Sequence, residues 1–259
     1  MAYLYLRKFL ILKAKVGDCM KIKLFGKDKN KKNTIETSGG TLSDKSKFAI
    51  VESYKSARTN IMFSLSAVDK KVFAVTSHSK GEGKSTVSAN LAISFSKMEK
   101  RVLLIDCDLR RPNLHNIFKI DNSSGLSNII GKMVSFEDTV KRDVLNNLDI
   151  LPSGTIPPNP SELMCSATFT ELISKLTEEY DYIIFDTPPI GVVADALLLK
   201  DLIAGFVVVV RERSTTHGDL QKLLDSVKLA DSKVLGLIEV GCELSQKRNK
   251  KGYYYYQYY

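Results

Sequence analysis

Six short apolar runs recur along the chain, at residues 72–75, 102–105, 148–151, 182–185, 206–210 and 234–238. Most are unbroken by polar residues. A strand with one wet face alternates apolar and polar positions; a strand apolar at nearly every position must be covered on both faces, which is the condition of a parallel sheet. Amphipathic segments of helical length lie between the runs, at 85–98, 161–179 and 216–230. An earlier one, 50–67, carries Ala57, Ile61 and Leu65 along one side. The alternation predicts a doubly wound, mostly parallel α/β sheet flanked by helices, with ligands at the carboxyl ends of the strands.

The 259 residues suffice for one such domain with tails. Residues 26–46 are rich in Lys, Ser, Thr and Gly, a linker composition. We therefore read 1–45 as a disordered extension and linker, 46–244 as the folded domain and 245–259 as a basic, tyrosine-rich tail. The stretch 2–14 is apolar but shorter than the roughly 20 residues of a spanning helix. The stretch suits an amphipathic helix lying in a membrane interface or, because Met20 reads as a natural start, an upstream artefact. The four cysteines form no C-x-x-C pair, which argues against a zinc site or disulfide framework and fits a reducing cytosol. Much of the net charge of +9 sits near the two ends, which suits an anionic partner or a pair of solvated tails equally.

Three separated motifs carry chemistry. Ser79, Lys80, Gly81, Glu82, Gly83, Lys84, Ser85 and Thr86 follow one apolar run and open a helical segment, the setting of a phosphate loop. The glycines permit close backbone approach, and the loop and helix N–H groups then face phosphate oxygens. Lys84 supplies a point charge, and the Ser85 hydroxyl is placed for Mg²⁺. His78 stands where the outer glycine of the usual pattern would be. The second motif, residues 103–112, puts Asp106 and Asp108 at i and i+2 at a strand end, on one face if the backbone stays extended. There they can hold a metal's water shell and accept a proton. The third, residues 180–189, ends an apolar run in Asp186, the Walker B pattern of metal support. Each acidic strand end is commonplace alone; in this order behind a phosphate loop they indicate a P-loop NTPase fold binding ATP and Mg²⁺.

The chain ends in a cluster of six tyrosines, Tyr253, Tyr254, Tyr255, Tyr256, Tyr258 and Tyr259, of eleven in all, with no spacing suited to a core element. Together with residues 80–86, 103–112 and 183–189, the helix segment 52–60 (ESYKSARTN) and the loop PPNPSEL, this tail makes the chain resemble the bacterial tyrosine kinases, in particular the separate cytoplasmic kinase of capsule and exopolysaccharide synthesis in Gram-positive bacteria. The resemblance covers about 49–243 and the tail. It implies ATP- and Mg-dependent autophosphorylation of the tyrosine cluster in trans, with Lys84 and Ser85 on phosphates and metal, Asp106 as base, Asp108 assisting and Asp186 supporting the metal. It also implies a homo-oligomeric ring through Glu52, Lys55 and Arg58, an activating cytoplasmic segment of a membrane chain-length protein, a cognate tyrosine phosphatase, no nucleic acid, and a cytoplasmic place at the inner membrane face. Two positions depart from the family: Lys55 stands for an arginine in the ring motif, losing the bidentate fork, and Lys80 stands for a proline.

A partition or positioning ATPase of the same broad fold is the alternative. Its signature lysine, five residues before Lys84, is Ser79 here. A nucleic-acid-binding tail would account for residues 247–259 but not for the three acids, and an iron–sulfur carrier lacks its C-x-x-C.

Overall fold

A computed structural model of the chain describes residues 20–25, 41–42, 48–66 and 71–242. Its strands are β1 (Met20–Phe25), β2 (Val72–Ser77), β3 (Val102–Asp106), β4 (Lys141–Leu145), β5 (Leu148–Leu151), β6 (Tyr182–Asp186), β7 (Phe206–Arg211) and β8 (Val234–Cys242). They form one sheet in the order β1-β8-β7-β2-β6-β3-β5-β4. Every neighbouring pair is parallel except β4 and β5.

The apolar runs are continuous because alternate residues feed two cores. Val72 and Ala74 face one side with Leu103, Ile105, Ile183 and Phe185. Phe73 and Val75 face the other with Val102, Leu104 and Ile184. The first core is closed by Phe169, Ile173 and Leu176 of α6 (Ala167–Glu179) and by Leu223 and Val227 of α7 (His217–Leu229). The second is closed by α1 (Phe48–Ser66), which buries Tyr54, Ala57, Ile61 and Leu65, and by α2 (Lys84–Ser96). Burying each such large side chain contributes about 1.5–3 kcal/mol. Shorter helices α3 (Leu114–Phe118), α4 (Leu126–Ile130) and α5 (Pro160–Met164) and a 3₁₀ turn (Ala194–Leu199) lie in the connections.

Three readings need correction. First, the segment read as a disordered extension and linker, 1–45, contains β1, which pairs in parallel with β8. Its sequence MKIKLF alternates apolar residues with lysines, the pattern of a strand with two unlike faces. In the same segment Leu42 is buried, and its N–H donates to Asn90 Oδ1 at 2.6 Å. Second, the single helix expected over 161–179 is two, because Ser166 caps α6 by accepting from the Phe169 N–H and so starts a new helix. Third, the cap expected at Ser161 is absent; Pro160 is the first helical residue of α5, and the Ser161 hydroxyl turns to Asp195. The tyrosine tail and residues 1–19 lie outside the described residues.

Candidate functional site

The phosphate loop joins the carboxyl end of β2 to α2. Gly81 and Gly83 take φ of +78° and +93°, which side chains resist. Gly83 is the N-cap of α2, and no side chain caps that end. The first N–H groups of a 13-residue helix therefore point without a side-chain partner into a cavity of about 610 Å³. Lys80, Gly81, Gly83, Lys84, Ser85 and Thr86 line it, with Asp108, Arg110, Arg111, Asn113, Arg211, Pro188, Pro189, Val192 and Val193. The size suits a small-molecule site, and five cations against one lining acid suit an anion.

Three acids converge behind the loop for a topological reason. β3 and β6 are neighbours in register, with Asp106 opposite Asp186, so both carboxylates leave the sheet side by side. Both are fully buried. Burial first, and then repulsion from Asp186, raises the Asp106 pKa to about 7 against backbone hydrogen bonds from Leu114 and Asn113 that lower it. The N–H groups of Asp108, Asn113 and Leu114 donate to the Asp106 carboxylate at 3.0–3.2 Å. The Asp186 pKa is also raised, by burial above all, with Lys84 and the Ser85 and Ser88 hydroxyls pulling it down. Ser88 Oγ, one helical turn beyond Lys84, donates to Asp186 Oδ1 at 3.0 Å.

Lys84 holds the charge balance. Its Nζ pairs with Asp108 Oδ2 at 2.9 Å, with the two side chains 12% and 5% exposed. Burial pushes the Lys84 pKa down, yet attraction from Asp186, Asp108 and Asp106 outweighs it and leaves the pKa raised. Asp186 Oδ2 is buried with no hydrogen-bond partner. That orphaned oxygen, on a carboxylate the Ser85 hydroxyl also reaches, fits a hard cation whose other ligands are hydroxyl, phosphate and water oxygens. Among the described residues no three His, Cys, Asp or Glu side chains form a metal cage by themselves.

Of the predicted residues, Lys80, Gly81, Gly83, Lys84, Ser85, Thr86 and Asp108 line the cavity; Ser79 and Glu82 do not, and Asp106 and Asp186 are fully buried. Glu52 and Lys55 are paired at 2.8 Å on the outer side of α1. Arg58 does not join them; its guanidinium turns inward to donate to the Ser94 carbonyl on α2. Sequence reading missed Ser88, Asp195, Arg211 and Thr215. Asp195 takes two hydrogen bonds from Arg110, at 2.6 and 3.2 Å, and one from Ser161 at 2.9 Å. It thereby ties the PPNPSEL loop to the Asp106–Asp108 segment. Ser88 could have been found from its i+4 spacing to Lys84; nothing local marks the other three.

The chain is similar in sequence and fold to known proteins. A family model described as an AAA domain matches residues 70–236. The chain is 42% identical over 203 residues to tyrosine-protein kinase YwqD of Bacillus subtilis, covering 78% of this chain and 85% of that one. It is 36% identical over 226 residues to the putative tyrosine-protein kinase CapB of Staphylococcus aureus, covering 87% and 97%. The fold overlays the crystal structure of the chimerical protein CapA2B2 with a TM-score of 0.77 at 29% identity, covering 90% and 98%. A more distant likeness is the septum site-determining protein MinD of Pyrococcus horikoshii complexed with Mg-ADP, with a TM-score of 0.56 at 25% identity, covering 66% and 70%. On the sheet order, the phosphate loop, the paired acids and these likenesses, the chain belongs to the bacterial tyrosine-protein kinase family, built on an AAA-type P-loop domain.

Proposed function

We propose that the chain is a protein-tyrosine autokinase that uses Mg-ATP to phosphorylate the tyrosine cluster of a neighbouring copy and so regulates synthesis and export of a capsular or extracellular polysaccharide. The observation that carries the proposal is the set of three buried acids gathered around Lys84 at an open phosphate-binding helix end. Phosphoryl transfer asks a protein mainly to position its reactants and neutralise charge, and this set does both.

Ser85 and Asp186 would hold the metal, which when bound supplies charge neutralisation at the phosphates. Lys84 exchanges Asp108 for a phosphate oxygen, which releases the Asp108 carboxylate at the cavity wall. Asp106 is the proton acceptor for the incoming phenol. A free tyrosine near pKa 10 is a poor nucleophile at neutral pH, and a base works best with a pKa close to the working pH. In the described conformation the N–H groups of Asp108, Asn113 and Leu114 cap the Asp106 carboxylate. The start of α3 must therefore shift for a phenol to reach it.

No helix among the described residues is long and apolar enough to cross a membrane. The proposal accordingly includes a cytoplasmic place held at the membrane by the cytoplasmic segment of a membrane partner. It also includes a ring of copies meeting on the Glu52–Lys55 side of α1 and a cognate phosphatase that resets the tail. The positioning-ATPase reading draws on the likeness to MinD, but it leaves the tyrosine cluster without a role.

Phosphate mapping tests the proposal. After incubation with Mg-ATP and the partner segment, phosphate is expected on residues 253–259. A chain lacking 252–259 is expected to bind ATP as before and to lose most self-phosphorylation. Phosphate found instead on Tyr54, Tyr180 or Tyr182 contradicts the tail assignment; the first and second of these are buried in the fold.

A further inference from the structure

Glu82 is an unexpected residue for a loop that receives anions. It lies between Gly81 and Gly83, yet it is 1% exposed and does not line the cavity. Both carboxylate oxygens are engaged away from the phosphate side. The Ser79 N–H donates to Oε2 at 2.9 Å, and the Thr215 hydroxyl donates to Oε1. Thr215 Oγ1 in turn accepts from the Arg211 N–H at 2.8 Å. The Arg211 guanidinium, which lines the cavity, donates to the Gly81 carbonyl at 2.7 Å. Two loops remote in sequence, 79–82 and 211–215, are thus stitched by side-chain hydrogen bonds. Just beyond them His78 Nδ1 lies 3.9 Å from Asp219 Oδ1 at the start of α7.

We propose that the segment 211–215 is a latch on the phosphate loop, with Thr215 and Arg211 as positioning residues that hold the loop in its nucleotide-receiving shape. The proposal rests on the reading that nucleotide binds at this loop. A loop with two glycines at positive φ has little to hold it: a Cβ built on Gly81 meets nothing within 4 Å, so packing does not fix the backbone there. Hydrogen bonds from outside must select one shape among many. When the competent shape is populated only in part, apparent affinity falls by that fraction. The latch raises the fraction before any ligand arrives, which is preorganisation. It also turns the Glu82 charge away from incoming phosphates.

The test uses the full chain with Mg²⁺ and a non-hydrolysable ATP analogue in titration calorimetry, and steady-state kinetics with ATP. Thr215→Val keeps the shape and removes the hydroxyl. It is expected to raise Kd and the KM for ATP about tenfold, the size of one charge-assisted hydrogen bond, with kcat changed less than about twofold. Thr215→Ser restores the hydroxyl and is expected to restore both constants, which a merely structural role for the methyl group would not produce. Glu82→Gln combined with Thr215→Val is expected to weaken binding no more than the stronger single change, because both cut one link. Wild-type binding with an unchanged Kd in Thr215→Val, or strictly additive effects in the double variant, overturns the latch. Failure of the wild-type chain to bind the analogue overturns the nucleotide-site reading itself, and the latch with it.

Discussion

Lys84→Met is expected to abolish phosphotyrosine formation, with a loss of at least about 100-fold from the missing charge on the phosphates, and also to weaken the fold in a pH-dependent way. The second effect follows from burial. Lys84 is the cation that attracts Asp106, Asp108 and Asp186, and its pair with Asp108 is nearly closed to solvent. Removing one partner of a buried pair costs about 3–5 kcal/mol unless the orphaned charge is neutralised. Neutralisation here means protonation. Asp106 and Asp186 already have raised pKa values in the folded chain. A raised folded pKa contributes stability that is complete below the unfolded carboxylate pKa and is lost as pH rises through the folded value. For Asp106 that window runs from about 4 to about 7. Without Lys84 both folded values rise further, so the deficit against wild type grows with pH. Denaturant unfolding at pH 5 and pH 8 checks this: the variant is expected near wild type at pH 5 and clearly weaker at pH 8. A constant deficit at both values contradicts the account.

Asp186→Asn is expected to do the reverse to stability while also removing activity. The raised pKa of Asp186 means that burial outweighs the attraction of Lys84, so the ionised carboxylate is a net cost to the nucleotide-free fold. Asparagine keeps an oxygen to accept from Ser88 and replaces the unpartnered Oδ2 with an amide nitrogen beside Asp106. The gain is on the order of 1 kcal/mol, or about 2–4 °C in Tm for a chain of this size. By the same sign rule the gain is largest above the folded pKa and fades in acid. Thermal unfolding without nucleotide at pH 8 reads it directly. A fall in Tm would mean that the buried oxygen stabilises the free chain after all. The trade of stability for function is the usual cost of gathering like charges at a site.

The sequence carried much of this arrangement in its periodicities. The apolar runs and amphipathic segments marked six of the eight strands among the described residues and the main helices, because burial on two faces leaves a continuous pattern that needs no tertiary knowledge to see. The phosphate loop was legible because its glycines and lysine are local. The misses have physical causes. β4, with the sequence KRDVL and a half-exposed face, has too little apolar patterning to show. β1 is one short strand just before the lysine-rich stretch 26–46, and reads with it as extension. The inward turn of Arg58 toward Ser94 depends on the packing of α1 on α2, which a helical wheel does not contain. The ties of Asp195 and Thr215 join loops brought together only by the sheet order. The acids were individually visible, but their coupling required knowing that β3 and β6 are neighbours in register.

The most direct measurement is a two-chain phosphorylation assay. A chain lacking residues 252–259 is mixed with the full-length Lys84→Met chain, Mg-ATP and the activating partner segment, and phosphotyrosine is read separately on each chain. The account predicts phosphotyrosine on the Lys84→Met chain, mapping to Tyr253–Tyr259, and none when that chain is incubated alone. No label on that chain, while the truncated one binds ATP and the partner normally, would contradict a tyrosine kinase acting between copies.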